Sequence, residues 1–197
     1  MAGPMTGLAL DHIVVAAATL AEGVAVLTAR LGIRPLPGGR HPLMGTQNAL
    51  WHLGGREYLE VIAIDPDAPA PSRPRWFGLD GFSGPPRLVA WVARMTPLIA
   101  PAGSTIAGAS RGDLNWRIAI PDSGVSASDG LQPLLIDWGT GPHPTERMPD
   151  QSLRLTGLTL THPDPPALAV TDPRIAVTAG PVKLSARIAG YSGEIDL

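Results

Sequence analysis

Two apolar runs, Ala49–Leu53 and Tyr58–Ile64, stand on either side of Gly54-Gly55, the pattern of a β-hairpin. Upstream, Leu10–Ala16 alternates as a short strand, with Leu10, His12 and Val14 on one face and Asp11, Ile13 and Val15 on the other. Thr19 is placed as an N-cap for a helix over Leu20–Leu31, whose Leu20, Val24, Leu27 and Leu31 recur at helical spacing. Glu22, three residues after Thr19, completes a capping-box pattern, and Gly32 stops the helix. Ile33–Pro37 reads as a short edge strand, because proline is tolerated at an edge, and Gly38-Gly39 as the turn that follows. The order is therefore β-α-β-β-β over about residues 8–65.

A proline-rich connector covers 66–86 and contains R-W-F-G-L-D at Arg75–Asp80. Strands are then expected at Leu88–Ala93, Leu114–Ile120 and Leu134–Trp138, which repeats the first order of elements over 87–144. Pro97 and Pro101 reduce the second helix to a turn or two. Leu153–Thr161, Ile175–Thr178, Lys183–Ile188 and Glu194–Leu197 predict extra strands within 150–197, packed on one lobe.

Composition narrows the function. A formal net charge of −2 over 197 residues, without a basic run, gives no footprint for nucleic acid. The absence of cysteine excludes a disulfide framework, a thiolate metal site and a cysteine nucleophile. The apolar stretch Ile13–Ala29 lacks a preceding basic residue and is broken by Glu22, so neither a signal peptide nor a membrane span is expected. A soluble, cytoplasmic protein without a membrane partner is the resulting expectation. No nucleophile elbow, Walker loop or dinucleotide fingerprint occurs.

Glu60 lies between Leu59 and Val61, and a carboxylate inside an apolar strand needs a partner, a metal or water. Asp137, between Ile136 and Trp138, repeats that situation at the end of another run. His12 reads from its spacing either as a buried histidine bonded to backbone or as a cavity residue. Asn48, Leu50 and His52 share a strand face, so Asn48 and His52 line a cavity together or face solvent together, with Gln47 and Trp51 opposite. Arg75 and Trp76 are candidates for a cavity rim that holds a carboxylate or an aromatic ring. His41 precedes a proline in a turn, and Trp91, Trp116 and Trp138 belong to the core or to an apolar pocket wall.

The motifs L-D-H-I-V-V, H-P-L-M-G-T-Q-N-A-L, Y-L-E-V-I, R-W-F-G-L-D and P-L-L-I-D-W-G resemble the glyoxalase-like branch of the vicinal oxygen chelate superfamily, over about residues 8–144. The resemblance implies an α+β fold in which two paired βαβββ modules form an open cup-shaped sheet. It implies a divalent metal (Mg²⁺, Mn²⁺, Fe²⁺ or Zn²⁺) or none, held on the first and last strand of each module. Matched by position, His12, Glu60 and Asp137 are the metal candidates, and the fourth place falls on Leu88 or its neighbours, which cannot ligate. His12 and Glu60 are also the catalytic candidates, and Asn48, His52, Arg75 and Trp76 are the substrate-binding ones. The implied function is a small-molecule enzyme acting on a substrate with vicinal oxygens, of lyase, isomerase or dioxygenase type. The alternative is a metal-free binding or resistance-type protein with the same cup. A homodimer is the implied assembly.

Overall fold

A computed structural model describes residues 8–168, 170–191 and 193–197. The first module runs β1 (Ala9–Ala16), α1 (Leu20–Leu31), β2 (Leu36–His41), β3 (Thr46–His52) and β4 (Tyr58–Ile64). Thr19 caps α1 by accepting the Glu22 backbone N–H at 3.2 Å, and Gly32 ends the helix in the left-handed conformation at φ 70°. The helix packs closely on the sheet because Gly23 has no side chain. A Cβ there would lie 2.4 Å from Val61 Cγ2 and 2.8 Å from Ala17 Cβ.

Gly38 and Gly39 do not form the expected turn; they lie inside β2, and the chain turns at residues 42–45 instead. The reason is spatial. A Cβ on Gly38 would meet the Asn48 backbone oxygen at 2.1 Å, and one on Gly39 would meet Arg111 Cδ at 2.4 Å. These glycines make room for two polar side chains that the pattern of apolar residues does not reveal.

The second module runs β5 (Arg87–Arg94), β6 (Ser104–Arg111), β7 (Leu114–Pro121) and β8 (Leu134–Asp137). No helix separates β5 from β6, and β6 itself escapes the sequence reading. Its residues, S-T-I-A-G-A-S-R, are small and largely exposed, so they carry no apolar alternation. The eight strands form one sheet in the order β2-β3-β4-β1-β5-β8-β7-β6. β1 and β5 pair antiparallel at its centre, and each pairs in parallel with the last strand of its own module. The sheet curls strongly, as a half-barrel, so that Arg111 on edge strand β6 reaches Gly39 on edge strand β2.

Four further strands make a separate sheet in the order β10-β9-β11-β12, from β9 (Arg154–His162), β10 (Ile175–Ala179), β11 (Lys183–Gly190) and β12 (Gly193–Asp196). Its apolar face, with Leu155, Leu158, Leu160 and Ile188, joins α1 in burying the convex side of the main sheet around Val15, Val61, Trp91 and Leu135. Trp91 is fully buried there and donates its indole N–H to the Leu131 carbonyl at 2.8 Å. The concave side is lined by a second apolar cluster that includes Val14, Ile62, Val92, Ile118 and Ile136. Among the described residues, no helix is long and apolar enough to cross a membrane.

Candidate functional site

The concave side holds a small cavity of about 30 Å³, room for about one water molecule. Its wall has a polar half and an aromatic half. His12, His41, Asn48, Tyr58 and Glu60 come from the first module, and Trp116, Ile118, Ile136 and Trp138 from the second. Arg111 enters from the edge strand β6, and Trp76 with Phe77 closes the mouth from the connector.

Glu60 is 5% exposed, with a donor bonded to one oxygen and an imidazole near the other. Asn48 Nδ2 donates to its Oε1 at 2.5 Å, and His12 Nε2 lies 3.6 Å from its Oε2. The amide of Asn48 is oriented by what surrounds it. Its Oδ1 accepts the Gly39 backbone N–H at 2.8 Å and Arg111 Nη1 at 3.0 Å, which leaves Nδ2 to face Glu60. Parity puts Asn48 and Glu60 on the concave face of neighbouring strands, where Asn48 pairs with Ile62 and Glu60 with Leu50.

Behind His12 sits Asp11, which sequence reasoning assigned to the opposite face and did not select. The pairing of β1 with β5 shifts register between Leu10 and His12, and the resulting bulge re-aims Asp11. Its carboxylate is fully buried and accepts from four groups. His12 Nδ1 lies at 2.6 Å, Trp138 Nε1 at 3.0 Å, and Arg94 Nη1 and His143 Nε2 at 3.1 Å each. Burial alone would raise the Asp11 pKa, but the hydrogen bonds from His12 and His143 outweigh it and hold the group well below the usual carboxylate range. An ionised, acceptor-only Asp11 fixes the His12 tautomer: Nδ1–H points at Asp11 and Nε2 faces Glu60. Tyr58 stacks on the His12 ring at 4.4 Å between centroids, and burial pushes its phenol pKa up.

His41 donates or accepts at Thr46 Oγ1 (3.0 Å) and stands edge-on to Trp76 and Trp116. Burial, only partly offset by the charge of Glu60, lowers its pKa to about 4, so it is neutral near pH 7. His143 caps the short turn Pro144–Arg147, and burial lowers its pKa as well.

Of the sequence candidates, the structure brings His12, Glu60, Asn48 and Trp76 together at the cavity. His52 shares the Asn48 face but sits at the far end of β3, beside the Pro149 and Gly55 carbonyls at 3.3 and 3.1 Å. Arg75 turns away from the cavity to Asp80 (2.6 Å) and the Met44 carbonyl (3.0 Å), pinning the Trp76 turn. Asp137 is not part of the cavity wall; it is next to the concave Ile136 and Trp138 and so faces the other way. There it accepts from Arg117 Nη2 at 2.6 Å, Thr96 Oγ1 at 2.9 Å and the Gly139 N–H at 2.9 Å. Burial would raise its pKa, but these bonds together lower it. Leu88 packs in the convex core, and the residue that pairs with His12 across the sheet centre is Val92. Arg111 and Asp11 are the residues of this candidate site that sequence reasoning missed. The glycine pair opposite Arg111 was a signal for the first, but it reads equally as a turn.

A divalent ion in the cup would take His12 Nε2, backed by Asp11, and Glu60 Oε2. Two donors fall short of the three protein ligands that an open catalytic site uses, and no group of three His, Asp or Glu side chains fit to hold a metal occurs among the described residues. The donor set therefore does not fit a resident metal.

A family model described as a glyoxalase-like domain matches residues 10–172. No curated protein matches the chain. Among solved structures, the chain is similar to a hypothetical protein from Staphylococcus aureus at 12% identity and TM-score 0.57, over 89% of this chain and 88% of that one. It is also similar to methylmalonyl-CoA epimerase from Streptomyces coelicolor in complex with 2-nitronate-propionyl-CoA, at 18% identity and TM-score 0.44, over 70% of this chain and all (100%) of that one. The Mycobacterium tuberculosis methylmalonyl-CoA epimerase gives 19% identity and TM-score 0.43, over 74% and 95%. With the family model spanning most of both modules and their curled sheet, the chain belongs to the glyoxalase-like domain family.

Proposed function

We propose that the cup is the active site of a small-molecule enzyme that moves a proton at a carbon beside a carbonyl, in a substrate with vicinal oxygens. The observation that carries this reading is the chain Asp11–His12–Glu60–Asn48, in which one buried carboxylate orients a proton carrier against another. Glu60 Oε2 is the base: Oε1 is occupied by Asn48, while Oε2 faces His12 without a hydrogen bond among the described residues. His12 Nε2, 3.6 Å away, is the second proton station. Positive charge appearing on its ring would face the ionised Asp11 at 2.6 Å, which stabilises it without a proton leaving Asp11. The wall of the cavity is buried, so charge developing on the substrate oxygen meets fixed donors.

Metal assistance would have to rest on His12 and Glu60 alone, and no step above depends on it. The second reading is a metal-free binding protein of the resistance type. It is favoured by the aromatic half of the wall, Trp76, Phe77, Trp116 and Trp138, which suits a flat apolar ligand.

Deuterium uptake from D₂O separates the two. A panel of 2-oxo and 2-hydroxy acids and thioesters, followed by proton NMR, should show exchange beside a carbonyl in at least one compound. That exchange should vanish in Glu60→Gln and weaken strongly in His12→Ala, with metal chelators leaving it unchanged. Ligand binding without exchange across the panel would favour the binding protein.

A further inference from the structure

Two donors of the cavity wall have no partner equal to them. Most arginines of this protein pair with a carboxylate, for example Arg40, Arg75, Arg94, Arg117 and Arg174. Arg111 does not: its one hydrogen bond among the described residues runs to the neutral Asn48 Oδ1 at 3.0 Å. A guanidinium in a half-buried aromatic wall, bonded to an amide alone, keeps most of its charge and donors for a ligand. The second donor is the Trp76 indole N–H. It is buried without a partner among the described residues, on a residue only 3% exposed. A buried donor left unpaired costs free energy, which a ligand acceptor recovers.

The positions of these donors limit the ligand. Arg111, Asn48 and Glu60 follow one another through hydrogen bonds, with Asn48 standing between the guanidinium and the catalytic carboxylate. An anion at Arg111 is thereby kept apart from Glu60, while the atoms next to it run towards Oε2. The opposite wall offers Trp116 and Trp138, whose ring centroids are 5.3 Å apart, as a surface for a flat group.

We propose that the cup takes 2-oxo carboxylic acids with a flat apolar body, the carboxylate pairing with Arg111 and the adjacent keto oxygen accepting from the Trp76 indole N–H. This rests on the proton-transfer reading only for the reacting carbon. There, Glu60 takes a proton from C3, the C–H pair becomes the C2–C3 double bond, and the carbonyl pair moves to oxygen as an enolate. Return of the proton restores the acid, so no oxidant or second reactant is needed. The cavity of about 30 Å³ admits little more than a water, so the body is accommodated by movement of Phe77, whose backbone lies in the left-handed region at φ 59°, while the Trp76 indole keeps its place beside Arg75, which is pinned to Asp80.

The experiment uses the whole protein with 2-oxo-4-phenylbutanoate and its neutral amide, reading binding by tryptophan fluorescence and exchange at C3 by NMR in D₂O. The acid should bind at least about tenfold more tightly than the amide, and Arg111→Met should remove that preference. Arg111→Lys should restore part of it, which separates charge recognition from a loss of packing against Gly39. Trp76→Phe should weaken the acid several-fold without changing the acid-over-amide ratio. Equal binding of acid and amide, an unchanged preference in Arg111→Met, or no binding of either compound would overturn the proposal. Arg111-dependent binding of the acid with no exchange at C3 would leave the clamp standing and sink the proton-transfer reading instead.

Discussion

The two modules share a sheet and a pairing pattern, but they have divided the labour. The first presents His12, Asn48, Glu60 and His41 to the cup, while the second presents Val92, Ile118, Ile136, two tryptophans and, from its edge strand, Arg111. The convex sides differ in the same way. The first module is covered by α1, whereas the second has no helix and is covered by a sheet made from residues beyond it. A half relieved of ligating groups is free to become an apolar wall. Proton transfer is then expected from the first module, and shape with one ligand-binding cation from the second.

The hardest test of that division is Glu60→Gln. The substitution keeps shape and the Asn48 contact while removing the base, so exchange activity should fall about 10²- to 10⁴-fold with little change in melting temperature. A comparable loss from Ile136→Val, on the facing strand, would show that the second module takes part in the proton transfer.

Asp11→Asn comes next. Four donors converge on this fully buried carboxylate, three of them from outside the first module, Arg94, Trp138 and His143. Breaking a buried charge network of this kind costs about 3–5 kcal/mol, and here it also frees the His12 ring to flip. Chemical denaturation should show that loss together with reduced activity. Stability intact and activity lost would mean that Asp11 only orients His12.

Leu158→Ala tests the covering sheet. Leu158 is fully buried on β9 in the shared convex core, so truncation should cost about 2–5 kcal/mol, with kinetic parameters nearly unchanged if the C-terminal sheet is only a cover. A large change in exchange rate would tie that sheet to the cup.

Acid titration sharpens the contrast further. His41 has a folded pKa of about 4 against 6.5 when unfolded, so between these values the unfolded state binds more protons. Stability from this group is therefore complete above about pH 6.5 and falls by about 3 kcal/mol as pH drops to about 4. Asp11, whose folded pKa is depressed, contributes above its unfolded value of 3.8 and is lost only below it. Denaturation midpoints should thus decline first through the histidine range. His41→Gln should flatten that part of the profile.

The sequence revealed the first module well because its strands alternate and its helix carries both caps. The apolar cadence placed β4 and, within it, Glu60. The second module was harder, since β6 is built of small exposed residues and the helix that would mark the repeat is gone. Asp11 was hidden by a bulge, which reverses the facing that strict alternation assigns and cannot be seen in residue types. Arg111 was hidden by distance, 63 residues from the Asn48 it bonds. Glycines 38 and 39 gave the signature of a turn, while their actual role was to leave space for two side chains.

Asp137 gives the mildest and most pointed test, because in sequence it is the twin of Glu60: one carboxylate among apolar residues near the end of a module's last strand. The structure separates them by facing. Glu60 meets an imidazole and an amide inside the cup, whereas Asp137 meets Arg117, Thr96 and a backbone N–H on the other side. Arg117 is 57% exposed at its side chain, so solvent screens the pair and Arg117→Ala should cost no more than about 1 kcal/mol. Thr96 and Gly139 still satisfy Asp137 after that change, which keeps the carboxylate from being stranded. Exchange activity in Arg117→Ala should match the wild type within about twofold, as expected for a surface pair remote from the chemistry. If activity instead fell with the loss of Arg117, Asp137 would belong to the working site and the division between the modules would fail.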